Sequence, residues 1–254
     1  MAPIFKSAAA FCLVALCGLQ STAAAQGTVK LLVDDAGPGS VLAANLARGG
    51  KISVPTKLLK EDESIKEGLK KALGETQNVL TGNACDSVTV KPDFVKKKFF
   101  VQFKSEEDSK DFRKDVQGAL DKGVKLLKDM KTYPTDAAQW QTFWGNPDGA
   151  NVANLLWSNS TKVGCAVGVC VEVQASSDVP LLGTNAYLFC QLNPEAEENK
   201  APFDKKYYDA LIARTTPLTA MTKDDLPSKN GATAVAVPSL LLTGLAAILA
   251  TAAA

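Results

Sequence analysis

Histidine occurs nowhere in the 254 residues. Imidazole is the side chain that titrates near neutral pH, so its absence excludes serine–histidine and cysteine–histidine nucleophilic machinery and histidine-bearing zinc sites. A glycine-rich phosphate loop is also missing, and with it the usual signature of nucleotide binding. No Cys-x-x-Cys pair is present, which favours disulfides over a structural metal site. Net charge is scarce too, with 28 basic against 27 acidic residues, and no basic excess of the kind that recruits nucleic acid or an anionic membrane. The chemistry that remains is that of carboxylates and lysines. The acidic runs starting at Glu61, Glu106 and Glu195 read as solvated helix starts and loops rather than paired catalytic acids. No enzyme and no cofactor is expected.

What the chain does have is two distinctive ends. Lys6, an apolar run from Ala8 to Leu19 and the small residues Ser21 to Ala25 stand in the order of a secretory signal peptide, 1–25, with cleavage leaving Gln26 first. The apolar run is too short for a membrane-spanning helix, which needs roughly 20 residues. At the other end the polar stretch Lys223 to Asn230 gives way to small residues and an uncharged apolar tail, 231–254. A retained tail anchor would carry flanking basic residues. Small residues, a spacer and a terminal apolar tail instead describe a removable glycosylphosphatidylinositol (GPI) signal, with Asn230 as the attachment residue. The expected location is the cell surface, on the outer leaflet of the plasma membrane.

Removing both ends discards Lys6, Cys12 and Cys17 and leaves a neutral ectodomain with Cys85, Cys165, Cys170 and Cys190. An even set of cysteines in an oxidising compartment reads as two disulfides, and spacing alone leaves three pairings open. Asn159-Ser160-Thr161 is a formal N-glycosylation acceptor.

Periodicity places a first helix within Gly27–Arg48, ended by Gly49 and Gly50, and an amphipathic helix over Glu61–Leu80 with Ile65, Leu69 and Leu73 inward. Lys98–Lys104 alternates as a strand. Ser105 with Asp108 resembles a capping box before the longest helix, Phe112 to Met130. A shorter helix carries Trp140 and Trp144 and is closed by Gly145–Gly149. Lys162–Val173 and Asn185–Leu192 read as a hairpin with a long loop, and Asp204–Arg214 as a helix. Residues 215–230, with two prolines, read as a stalk. The sum is an α+β ectodomain, 26–214, with helices packed on a small sheet.

Leu155–Cys170, LLWSNSTKVGCAVGVC, resembles the first motif of the CAP superfamily (cysteine-rich secretory proteins, antigen-five and pathogenesis-related-one proteins). Tyr187–Pro194, YLFCQLNP, is similar to the second motif. With the secreted, anchored form, these make the chain resemble the coccidian (Eimeria-type) GPI-anchored surface antigens, the strong match covering Trp140 to Pro194. The resemblance implies a helix-sheet-helix three-layer sandwich with Trp157 in its core. It also implies a non-enzymatic surface antigen acting in host-cell attachment or immune display, with a host-cell surface ligand as possible partner. The same resemblance carries an alternative, a lipid- or sterol-binding module. The CAP cleft uses histidines and acidic residues. Where the first motif's histidine would stand, this chain has Asn151-Val152-Ala153-Asn154, so the metal binding and proteolysis proposed for CAP proteins are not carried over. The CAP pattern further implies a Cys165–Cys190 bridge, leaving Cys170 for Cys85. Cys165 and Cys170, five apart on one strand, point to opposite faces. The Lys96-Lys97-Lys98 cluster reads as a solvated turn, or as a contact for an acidic glycan.

Overall fold

The computed structural model describes residues 28–105, 111–173 and 181–227. The expected signal peptide, Asp108 of the capping-box reading, Asn230 and the apolar tail lie outside them. In chain order the elements are β1 (Thr28–Asp35), α1 (Gly37–Gly49), β2 (Lys60–Glu61), α2 (Glu63–Gly74), α3 (Thr76–Val79), β3 (Leu80–Thr81), β4 (Thr89–Val90), α4 (Pro92–Val95) and β5 (Phe99–Lys104). After these come α5 (Arg113–Asp129), α6 (Ala137–Gly145), α7 (Pro147–Leu156), β6 (Lys162–Val173), β7 (Leu181–Asn193) and α8 (Lys205–Ala213), then two 3-10 turns, Leu218–Ala220 and Lys223–Asp225.

The protein is α+β. Strand order in the main sheet is β1-β6-β7-β5, with β2 adding a short parallel pairing to the start of β6. The other pairings are antiparallel. β6 is covered on both faces, which is why its sequence is continuously small and apolar instead of alternating with polar residues. On one face Val163, Cys165 and Val167, with Leu188 and Cys190 of β7, meet α1, α5, α6, α7 and α8. On the other, Ala166, Cys170, Tyr187 and Phe189 meet Leu69 and Leu73 of α2 and the chain around Val79–Val88. Gly164 allows that second layer to come close, because a Cβ there would overlap the backbone of Lys66.

Each core holds a disulfide. Cys165 and Cys190 are directly opposed on β6 and β7 and bonded, with Cα atoms 4.1 Å apart. Cys85, in the turn between β3 and β4, is bonded to Cys170 at a Cα separation of 5.6 Å. Opposite Cys170 the β6–β7 register shifts. Gly183 lies in that irregularity, where a Cβ would sit 2.5 Å from Cys85 Cβ and 2.7 Å from its Sγ. Glycine is therefore required beside the bridge.

Four sequence expectations are corrected. Residues 28–35 are a strand rather than the beginning of the first helix, because pairing with β6 overrides their weak local preference. The helix expected over Glu61–Leu80 ends at Gly74, and the chain turns at Glu75 into one further turn, α3. Gly145–Gly149 does not close the helical region: Asn146 alone separates α6 from α7, its side chain accepting from the N–H groups of Asp148 and Gly149, with Pro147 opening α7. Finally, residues 215–227 are no stalk. Leu218 and Met221 are fully buried in the helical core, Arg113 donates to Met221 O, and Leu218 N–H donates to Gln117 Oε1 at 2.7 Å. Burial of two large apolar side chains outweighs the local preference of a proline-containing segment for an extended linker.

Candidate functional site

The CAP-like cleft positions fall on α7, and the structure gives them a structural task. Asn151 spans the outer edge of β5, its Oδ1 accepting from Phe100 N–H at 2.9 Å and its Nδ2 donating to Phe100 O at 2.8 Å. Asn154 Nδ2 donates to Lys96 O and Lys98 O. A carboxamide offers a donor and an acceptor at once, which is what a strand edge needs and a catalytic base does not. These side chains satisfy backbone groups of β5 and the turn before it.

The expected basic cluster is internally matched. Lys96 pairs with Glu198 at 3.1 Å and Lys97 with Glu195 at 3.0 Å. Lys98 lies 4.4 Å from the centre of the Phe94 ring and donates to Phe94 O, and burial pushes its pKa down. An acidic glycan would have to displace two carboxylates here.

The acidic run at 61–63 is also engaged. Glu61, Glu63 and Asp35 surround the ammonium of Lys66 at 3.3, 2.8 and 2.8 Å. Asp35, then Glu63 and Glu61, hold that ammonium's pKa above its ordinary value. Asp62 caps α2 by accepting from Ile65 N–H and pairs with Lys162 at 2.7 Å. Glu195 and Glu198 belong to the pairs just described, and 106–108 fall outside the described residues.

The disulfide turn is more tightly held than the sequence suggests. Cys85 N–H donates to Glu172 Oε1 at 2.8 Å, and Asn185 Nδ2 donates to Cys85 O at 2.7 Å. The bond to Cys170 adds a covalent tie. Around this clamp Gly82, Asn83, Asp86 and Ser87 are exposed, so the turn presents polar residues near the end of the sheet where Glu172 pairs with Leu181.

Asn159 lies at the opposite end of β6, exposed in a turn closed by Ser160 N–H donating to Trp157 O. The three tryptophans are buried. Trp144 Nε1 donates to Lys200 O, and Trp140 makes edge-to-face contacts with Tyr133, Phe143 and Phe203.

Sequence reasoning missed Arg48. It is fully buried and donates to the carbonyls of Leu155, Trp157, Lys57 and Ser160 at 2.8–3.1 Å, while Tyr207 Oη donates to Arg48 O at 3.0 Å. Burial pushes the guanidinium pKa down to about 10, which leaves it charged at neutral pH. A single arginine closing an alanine-rich helix before Gly49-Gly50 was the available signal, read only as a helix end.

Two cavities bear on apolar ligands. One, of about 260 Å³, lies between β5 and the α6–α7 junction and is lined by Val90, Pro92, Val95, Phe100 and Trp144. It falls below the roughly 300–1,000 Å³ of sites that enclose a drug-sized ligand. The larger, about 740 Å³ along β1, has a mixed lining, with Val29 and Leu80 beside Lys30, Thr76, Gln77 and Asn83. Among the described residues no helix is long and apolar enough to cross a membrane.

No protein-family model and no curated protein matches the chain. Among solved structures it is similar to the surface antigen protein SAG19 of Eimeria tenella, with 17% identity, 72% of this chain and 98% of that one covered, and a TM-score of 0.46. It is also similar to hookworm platelet inhibitor, with 16% identity, 66% of this chain and 71% of that one covered, and a TM-score of 0.35.

Proposed function

We propose that the chain is a non-enzymatic surface antigen of a coccidian parasite, held on the outer leaflet of the plasma membrane by a GPI anchor at Asn230. It acts by contact with the host cell or in immune display. The observation that carries this reading is the pair of buried disulfides, one in each core. A fold tied on both faces by oxidised cysteine suits an oxidising, extracellular compartment. The signal-peptide and anchor features of the two ends agree with that compartment.

Its architecture is, on this reading, the helix-sheet-helix sandwich of the CAP type with the cleft chemistry removed. Asn151 and Asn154 support the removal, because the Asn151 carboxamide and the Asn154 amide nitrogen are committed to β5 and the turn before it. The engaged carboxylates around Lys66 support action without catalysis.

Phosphatidylinositol-specific phospholipase C tests the anchor. Treatment of intact cells should release the protein with its C-terminal residue carrying the ethanolamine remnant at Asn230. Retention on the cell, with the 231–254 tail found intact by mass spectrometry, contradicts the reading.

A further inference from the structure

The packed 215–227 segment fixes which end of the domain is nearest the anchor. Pro227 lies against Gly49 and Pro55: a Cβ on Gly49 would stand 3.3 Å from Pro227 Cδ and 3.3 Å from Pro55 Cβ. Lys51 pairs with Asp225 at 2.6 Å and ties the same segment to the end of α1. Asn230 is three steps along the chain from Pro227, a reach of at most about 11 Å.

Arg48 connects this point to one end of the sheet, since its guanidinium holds the carbonyls of Lys57 and Ser160, next to the Lys60–Lys162 pairing that begins β6. From Lys162, β6 runs ten residues to Glu172, paired with Leu181 at the start of β7, a length of about 34 Å. The Cys85–Cys170 clamp and the Glu172–Leu181 pairing therefore lie at the end remote from Pro227.

Val54, one of the few large apolar side chains exposed among the described residues, at 38%, lies near exposed Lys57. Lys51, on its other side, is committed to Asp225, so Lys57 is the neighbouring cation that can lie among phosphates while Val54 enters the interfacial layer. Asn159 shares a cavity with Val54–Lys57, so the thiol comparison is made on the Thr161→Ala chain, in which no glycan at Asn159 can shield Val54.

We propose that the end formed by residues 49–57 and 215–227 is a membrane-facing surface, apposed to the phospholipid headgroups of the protein's own membrane. The hairpin end with the Cys85–Cys170 clamp is the surface displayed outward. This rests on the anchored reading above, and the test separates the two.

All four ectodomain cysteines are in disulfides, so single variants Val54→Cys and Leu181→Cys each offer one thiol; Leu181 is 52% exposed. The full chain carrying either variant is displayed on cells and treated with a bulky, membrane-impermeant maleimide. The orientation predicts Leu181→Cys reacting at least about tenfold faster than Val54→Cys, because thiol reaction requires access. Phospholipase C release, or a long glycine–serine insert after Pro227, should bring the two rates together. Equal rates on intact cells, with normal phospholipase release, overturn the orientation and leave the anchor standing. Failure of release overturns the anchor and the orientation with it.

Discussion

Met221 Sδ lies where a side chain on Gly50 would have to go, 2.6 Å from the position of such a Cβ. The helix end and the Leu218–Ala220 turn that Met221 closes are fitted to each other, so the ectodomain continues through this segment to Pro227. Replacing Leu218 or Met221 by alanine should lower stability by about 2–5 kcal/mol, the range for large apolar side chains truncated in a core. A tethering stalk would tolerate either change within about 0.5 kcal/mol. Urea denaturation of the soluble ectodomain distinguishes them.

Removing the Cys85–Cys170 bridge by a double change to alanine frees a loop spanning 85 residues. On the chain-entropy model this costs about 4–5 kcal/mol, more than loss of the Cys165–Cys190 bridge, whose separation is 25 residues. The order of the two denaturation midpoints checks the claim.

Arg48→Met removes the guanidinium donor from four carbonyl groups; Trp157 O keeps the Ser160 N–H, and each buried group left unsatisfied costs about 1–3 kcal/mol. A loss of at least about 3 kcal/mol is expected. Arg48→Lys should recover only part of it, since an ammonium cannot reproduce the planar fork. Equal stability of the wild-type and methionine proteins would show that the guanidinium is not what joins α1 to the Leu155–Ser160 turn.

Stability should fall at both pH extremes through one cluster. The Lys66 ammonium, and then Gly37 N–H, hold the Asp35 carboxyl below its ordinary 3.8. That stabilisation is present above 3.8 and lost as pH falls through the lower folded-state value. Lys66 is raised above its ordinary 10.5, so its contribution is complete below 10.5 and lost as pH rises through the folded value. Lys66→Gln should flatten both limbs of a plot of urea midpoint against pH, and unchanged limbs would contradict the assignment.

Expression in a eukaryotic secretory system should give a glycan at Asn159, exposed at its turn. Loss of that mass on Thr161→Ala and on glycosidase treatment checks it.

Strand β6 and the later part of its partner were legible because a run of valine and small residues buried on both faces has few other solutions, whereas the first residues of β7, from Leu181, were read as loop. The opposite faces of Cys165 and Cys170 followed from strand geometry, and the two residues do lie in different cores. β1 was not legible: Val29, Leu31 and Val33 alternate, but the adjoining alanine-rich helix masks them, and only β6 supplies their partner. α7 was hidden by Asn146, Pro147 and Gly149, which read as a loop. Gly149 is needed because a Cβ there would overlap Phe143 O, a contact no local pattern reveals. The roles of Asn151 and Asn154, and three of the four carbonyl contacts of Arg48, depend on groups 51 to 112 residues away, beyond any sequence window. The docking of residues 215–227 is of the same kind, since Leu218 and Met221 are too widely spaced from other apolar residues to announce a core.

The most direct test of a contact function is binding of the soluble ectodomain, residues 26–227, to host-cell surfaces. The account predicts saturable binding that survives mutation of Lys96 and Lys97, whose charges are already matched, and of Lys98, which is turned onto Phe94, and that falls when the exposed residues around the Cys85 clamp are replaced. Absence of saturable binding, or binding abolished by the lysine changes alone, contradicts it.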